Sequence, residues 1–493
     1  MRGSALGFRG SAVGVAALAI ALAAPAHAQD APAPTPGPAE RESSGQDFDR
    51  SPEGAALAKP AKRPTFKLAR WLEDWRPLAD PLLRTDPFDP LKYIPLAADG
   101  SAHLTLSGQL REQVVGQHDG LFATSSDVWA LHRLYVGADL HLGEARLLAE
   151  IGNAVAIDRK GGPAPTDEDR LDLQLLFADW RFQTKGIEWV ARIGRQELAF
   201  DPTQRFVGVR EGPNLRQAYD AVRINARSGS VHLSAFAGRP VAYRPGVFDD
   251  PRDQSLSFKG IYLARTRVSS WLSLYLYDYH RAQARFGNVA GPEHRVALGS
   301  RIADRIGGFD IDVEAMVQHG SLGPAKVRAW ALASLAGWTF QSLPWHPRLG
   351  VQIDVASGDR DPGDQRVGTF NPLFYKGSYF TEAPIGTMAN VRHAKLSLSL
   401  RPSKADTVSL SVADLARMRV HDLVYIAPLI PQPLSAGDPN RRIGGYVQGL
   451  VSHSFGPHLS LSAEAAHFVP DAQLRAVGAH RVTFAKATAN FLF

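Results

Sequence analysis

Residues 192–224, RIGRQELAFDPTQRFVGVREGPNLRQAYDAVRI, bring together Arg192, Arg195, Arg205, Arg210, Arg216 and Arg223 with Gln196, Glu197, Glu211, Asn214 and Asp220. A guanidinium is a planar fork of donors that holds a carboxylate or phosphate through two parallel hydrogen bonds. Several of them facing one water-filled space make a ladder of carboxylate-binding points. A polyuronate, with one carboxylate per sugar, is a polymer that such a ladder can hand along. Each contact has to stay weak enough to release its ligand, and the interleaved acids moderate the field and hold the arginines in fixed rotamers. The competing reading of any one arginine is a salt bridge that stiffens a loop at a rim.

Other chemistries find little support. The chain has no cysteine, which removes disulfides, thiolate nucleophiles and cysteine metal sites. Its 16 histidines are scattered, without a His-x-x-x-His pair, and no nucleophile elbow is present. Asp312 and Glu314 resemble a paired-carboxylate glycosidase site, but on a strand they are successive positions of one face, and a charged pore wall explains them more simply. The segment SGDRDPGD, with Asp359, Asp361 and Asp364, has the oxygen-rich character of a calcium loop. It lacks the spacing and the closing glutamate of an EF-hand, so a solvated acidic loop is the preferred reading. The expectation is a protein that is not an enzyme and carries no cofactor or metal.

The elements that position these residues read as strands. From His103 onward the chain is a succession of short alternating segments separated by Gly, Pro, Asp and Asn clusters. About 18 strands are predicted. Their connections alternate between short turns (LGEA, TKGIE, RSGS, PSKA, FGP) and long loops at 157–169, 200–215, 239–257, 281–293, 357–390, 416–443 and 469–479. Short turns on one rim and long loops on the other mark an outer-membrane barrel, with the short rim periplasmic. Within 130–142, Leu134, Val136, Ala138, Leu140 and Leu142 fall on one face and Arg133, Tyr135, Asp139 and His141 on the other. Within 309–319, Ile311, Val313, Ala315 and Val317 oppose Asp310, Asp312, Glu314 and Gln318. The apolar face is expected to meet lipid and the polar face a wet lumen. The last strand alternates in the same way and ends on the aromatic Phe493.

The rest of the sequence agrees with export. Arg2 and Arg9 precede an apolar run that ends in Ala26-His27-Ala28, the form of a signal peptide cleaved after Ala28. No later stretch approaches the ~18 apolar residues of a membrane helix, so a membrane-spanning reading requires a closed barrel. The predicted organisation is a signal peptide (1–28), a disordered Pro/Ala-rich leader (29–65), a periplasmic lead-in (66–102) with a short helix around Leu68 to Trp75, and the barrel (103–493). Net charge is +6, and arginine outnumbers lysine roughly three to one. A nucleic-acid binder would cluster that charge on one face, whereas here it is spread over the strands.

From about residue 78 to the C-terminus the sequence resembles the alginate-export family of outer-membrane porins. The resemblance is carried by LADPLLRTDPFDPLKYIPL, LTLSGQLREQ, GRQEL, VREGPNLRQAYDAVRI, SGDRDPGD and TFNPLFYKGSYF. It implies an 18-stranded barrel with an electropositive pore that passes an anionic polysaccharide, alginate in the best-known case, out of the periplasm. Residue by residue it points to Arg111 and Glu112, to Arg195, Gln196 and Glu197, and to Arg210, Glu211, Asn214 and Arg216. Pleat parity adds Arg133, Arg146, Arg192, Arg223, Arg295 and Arg301 as lumen-facing, and Arg205 lies in the adjoining loop. Arg192 and Arg195 differ in parity, so both face the lumen only if Gly194 marks a bulge. The expected partners are an anionic polysaccharide or oligosaccharide, outer-membrane lipid and periplasmic secretion components, but not nucleic acid. The alternative function is a porin for uptake of anions or acidic oligosaccharides. The leader, 29–65, is not part of the family pattern.

Overall fold

The computed structural model describes residues 63–493. The signal peptide and nearly all of the leader lie outside the described residues. Eighteen strands form one closed antiparallel barrel. In chain order these are β1 (Ala102–Gly120), β2 (Ala123–Leu142), β3 (Ala145–Ile157), β4 (Asp169–Thr184), β5 (Ile187–Gln196) and β6 (Tyr219–Ser228). They continue as β7 (Val231–Pro240), β8 (Leu256–Thr266), β9 (Ser270–Phe286), β10 (Val289–Ile306), β11 (Phe309–Leu322) and β12 (Ala325–Thr339). The last six are β13 (Arg348–Ala356), β14 (Val391–Leu400), β15 (Asp406–Arg417), β16 (Arg442–Phe455), β17 (Leu459–Pro470) and β18 (Val482–Leu492). β1 closes the ring on β18, from Gln109↔Leu492 to His118↔Thr483. Closure pairs every edge, which is what a sheet needs to cross a bilayer. Among the described residues no helix is long and apolar enough to cross a membrane.

The pleat sorts the side chains as expected. On β2, Leu134 and Val136 are exposed on the outside, while Arg133, Tyr135 and Asp139 are buried. On β11, Ile311 and Val317 are exposed and Glu314 and Gln318 are buried. The apolar stripe therefore faces lipid and the polar stripe faces inward.

One predicted loop is a strand instead. Residues 281–293 belong to β9 and β10, which pair up to Phe286↔Val289 around a two-residue turn. Gly287 takes the positive φ of +54° that this turn requires. The Gly, Asn and Pro of this stretch imitate a loop, but the ladder runs through them. The predicted helix around Leu68 to Trp75 is likewise absent. In its place are 3-10 turns at Arg70–Leu72, Arg76–Ala79 and Pro81–Leu83, with one α-turn at Asp89–Lys92.

This N-terminal segment does not hang below the barrel. It enters the lumen at the short-turn rim. Phe88 packs on Phe491 and Phe493. Asp86 meets His458, in the turn between β16 and β17, at 2.8 Å. Lys92 Nζ donates to the Phe493 carbonyl at 2.8 Å, and Trp71, Leu72, Trp75 and Leu78 are buried. From the other rim, the long connections 197–218 and 357–390 fold inward and touch, with Phe374 N–H donating to the Phe206 carbonyl at 2.9 Å.

Candidate functional site

The inner wall and the segments packed against it form a lattice of arginines and acids. Its centre is Glu211, in the connection between β5 and β6. Arg216 donates to its Oε2 at 2.6 Å, Arg133 to its Oε1, and Arg111 to its backbone carbonyl at 2.6 Å and to that of Pro213 at 2.8 Å. Burial opposes ionisation of Glu211, yet the guanidiniums of Arg133, Arg216 and Arg111 outweigh it and hold the carboxyl below the ordinary range. Arg216 also grips Glu197 with two bonds of 2.6 and 2.9 Å. Burial works against its charge, and Glu197 and Glu211 overcome this and raise its pKa. Asn214 carries no charge in this knot. Its amide donates to the backbone carbonyls of His132 and Asp167, both at 2.9 Å, and so ties the loop to the wall.

The N-terminal segment joins the same lattice. Trp71 Nε1 donates to Glu197 at 2.7 Å, and Arg70 reaches Glu150 at 2.7 Å and Gln109 at 3.0 Å. Arg216 donates to the Leu68 carbonyl at 3.1 Å, and Arg146 to that of Trp71 at 2.8 Å. Towards the short-turn rim, Arg146 pairs with Asp139 at 2.8 Å and Arg192 with Asp179 at 2.6 Å. Arg70, Trp71 and Glu150 escaped the sequence reading because they stand far apart in the chain. A basic residue beside tryptophans, upstream of the first strand, was the available signal.

Across the lumen a second group gathers. Arg205 meets Asp312 at 2.8 Å and Glu314 at 3.2 Å, and Arg301 shares Asp312 at 2.6 Å. Tyr275 donates to Glu314 at 2.7 Å. Despite its burial, Arg205 has its pKa raised by Tyr379, Asp312 and Glu314. Arg295 pairs with Glu293 at 2.5 Å and holds Gln318 at 2.8 Å and the Thr369 carbonyl at 3.1 Å. Arg223 faces inward, donates to Ser234 at 2.8 Å and lies over the Phe200 ring.

Two residues are not where the reading of the sequence put them. Arg195 is on the outward face of β5. The ladder keeps register on both sides of Gly194, with Arg195 opposite Leu176 and Asp220, so no bulge turns it inward. It pairs with Asp220 at 2.9 Å and with the Asp250 carbonyl at 2.9 Å. Glu112 also faces outward, against His132. Asp359, Asp361 and Asp364 serve backbone turns: Asp359 N–H donates to Asp422, and Asp361 and Asp364 accept from Gly363 and Arg366 N–H.

Arg210 differs from Arg111, Arg133, Arg205 and Arg216, each of which has a carboxylate. It stands in the left-handed region at φ +55°, with its guanidinium over the Phe374 ring at 5.8 Å. No described carboxylate pairs with it. Burial lowers its pKa from the ordinary value, and its Nε has no hydrogen-bond partner. The arrangement is a cation held against an aromatic ring.

A family profile described as alginate export matches residues 102–488. Among solved structures, Pseudomonas aeruginosa OccK2 in complex with glucuronate superposes with a TM-score of 0.52 at 12% identity, over 82% of this chain and 98% of that one. Acinetobacter baumannii OccAB3 gives 0.56 at 10% identity, over 79% and 99%. A BenF-like porin from Pseudomonas fluorescens Pf-5 gives 0.54 at 9% identity, over 79% and 98%. No curated protein sequence matches the chain.

Proposed function

Because this chain belongs to the alginate export family of outer-membrane β-barrel channels, we propose that it passes an anionic polysaccharide of the polyuronate kind outward through its arginine-rich lumen. The observation that carries this reading is Arg210, a lumen guanidinium with no carboxylate of its own, set between Arg205 and Arg216, which have theirs. Transport then proceeds by exchange. A uronate binds Arg210 first, and the next uronates along the polymer displace Glu211 and Glu197 from the neighbouring forks. Arg216 keeps a carboxylate throughout, a uronate in place of the glutamate it releases, and no single contact is tight enough to trap the chain. The N-terminal segment, tied to the same acids through Trp71 and Arg216, leaves as those acids are exchanged.

A second reading, uptake of small acidic sugars, is favoured by the crowding of the lumen. The N-terminal segment and the loops 197–218 and 357–390 occupy it, and a cavity of about 80 Å³ lies beside Trp71, Phe200 and Arg223. Both readings rest on carboxylate recognition and differ in solute size and direction.

Planar-bilayer conductance tests them. Anion-selective current blocked by polymannuronate and not by neutral dextran supports the polymer channel. Block by monomeric uronate alone supports uptake. Cation selectivity overturns both.

A further inference from the structure

We infer that the outward face of β8–β10 carries a site for a divalent transition-metal ion, formed by Asp278, His280 and His294. These residues continue the lipid-facing stripe of Leu272, Leu274 and Leu276 on β9 and of Leu298 on β10, all exposed. Here the stripe turns from apolar to polar as the strands rise towards the long-loop rim. The ladder sets the ligands side by side, with His280 opposite His294 and Asp278 opposite Val296. Outward parity separates them from the lumen, so the site is independent of what the channel carries.

The geometry is that of converging lone pairs. The two imidazoles stack with centroids 4.0 Å apart and planes 11° apart. His280 Nε2 lies 2.9 Å from Asp278 Oδ1, and His294 Nε2 lies 3.6 Å from Asp278 Oδ2. One donor atom from each residue falls within 4.8 Å of the others. His294 Nε2 is shielded from solvent and has no hydrogen-bond partner, and Asp278 Oδ1 is shielded with the His280 imidazole beside it. Two imidazoles crowded on one carboxylate leave polar atoms unsatisfied, which is costly. One cation bound by all three satisfies them together.

The ligand types select the ion. Imidazole nitrogen suits Zn²⁺, Ni²⁺, Cu²⁺ and Co²⁺, whereas Ca²⁺ and Mg²⁺ require oxygen ligands. Two histidines and one carboxylate leave a fourth position for water. The side chains of His280, His294 and Asp278 are 48%, 38% and 29% exposed, which leaves room for the rotation that contraction to bonding distance requires. The competing cation is Lys259, directly opposite Asp278 in the ladder. Its Nζ lies 3.8 Å from Asp278 Oδ2 with a side chain 59% exposed, so it gives way to water without a packing cost.

The test is Co²⁺ titration of the full chain folded in detergent, followed by visible absorption. The expected result is one Co²⁺ per chain, with the d–d bands of nitrogen and oxygen coordination, displaced by Zn²⁺ and not by Ca²⁺. H280A/H294A is expected to weaken binding by about tenfold or more with conductance unchanged. Should that variant fail to fold, H280Q and D278N singly decide the same question. D172N/D250N, which alters a separate acidic group, is expected to retain the Co²⁺ spectrum. Absence of saturable Co²⁺ binding, or equal binding by the histidine variants, overturns the proposal.

Discussion

The two sides of the lumen are built from different materials. On β1–β5 the inward positions include Arg111, Arg133, Asp139, Arg146, Glu150, Asp179 and Arg192, all buried, and the N-terminal segment adds its own charges to them. On β7–β9 the inward positions are Phe236, Phe258, Tyr262, Tyr275, Tyr277 and Tyr279, also buried. Tyr262 stacks on Tyr275 at 5.6 Å and Tyr275 on Tyr277 at 4.8 Å, while Phe258 packs on Tyr277 at a tilt of 55°, 5.2 Å away. The first wall is held by ion pairs, the second by ring packing. Glycines let the rings close up: a Cβ on Gly299 would lie 2.2 Å from Tyr275 Cε2, and one on Gly260 2.6 Å from Tyr277 Cδ1.

Breaking each wall in turn separates their roles. The largest effect is expected from E211A, which removes the acid shared by Arg111, Arg133 and Arg216 and leaves buried guanidiniums short of a partner. The expected loss is about 3–5 kcal/mol, read as a lower temperature for the heat-induced mobility shift of the barrel on gels. G299A attacks the aromatic wall by overpacking, and a loss of about 1–3 kcal/mol is expected by the same assay. If G299A proves the more damaging, the ionic wall is not the main brace of the lumen.

R210A breaks no ion pair and should leave the melting behaviour unchanged. It removes the open guanidinium, and a loss of about 1 kcal/mol of anion stabilisation corresponds to a roughly fivefold fall in the anion-to-cation permeability ratio. Unchanged reversal potentials in a salt gradient would remove Arg210 from the transport path.

The smallest effect concerns the connection 241–255, which links β7 to β8 and packs against β4 and β5 through Asp172 and Arg195. Burial first, and then the nearby Asp172 and Asp249, push the Asp250 carboxyl up to about 6, against the opposing pull of the Arg244 N–H and the Arg195 guanidinium. Between the ordinary value of 3.8 and about 6 the folded loop holds a proton that an unfolded one has released. Stability of this loop therefore falls as pH rises through that window and is greatest below it. Limited proteolysis within 241–255 should accelerate over the same range, and D250N should flatten the dependence.

Much of this was legible in the sequence because a membrane barrel states its faces with a period of two. The strands, their outward leucines and valines and the inward Arg111, Arg133, Arg295 and Arg301 all follow from alternation. Arg195 follows too, once Gly194 is seen to keep register. The partners of the arginines do not follow. Arg216 with Glu197, and Trp71 with the same acid, are joined by loop folding and by an N-terminal segment without strand periodicity. An inward arginine facing water and one facing a buried acid have the same pattern in sequence. The stretch 281–293 misled for a related reason: turn-forming residues do not end a strand while the ladder can continue past them.

The contact between Lys92 and the Phe493 carbonyl fastens the segment upstream of the first strand to the end of the last. Its acceptor, together with the Phe491 and Phe493 rings that receive Phe88, lies on or beside β18, the strand that completes the ring on β1. The N-terminal segment is thereby a clasp across the place where the ring begins and ends.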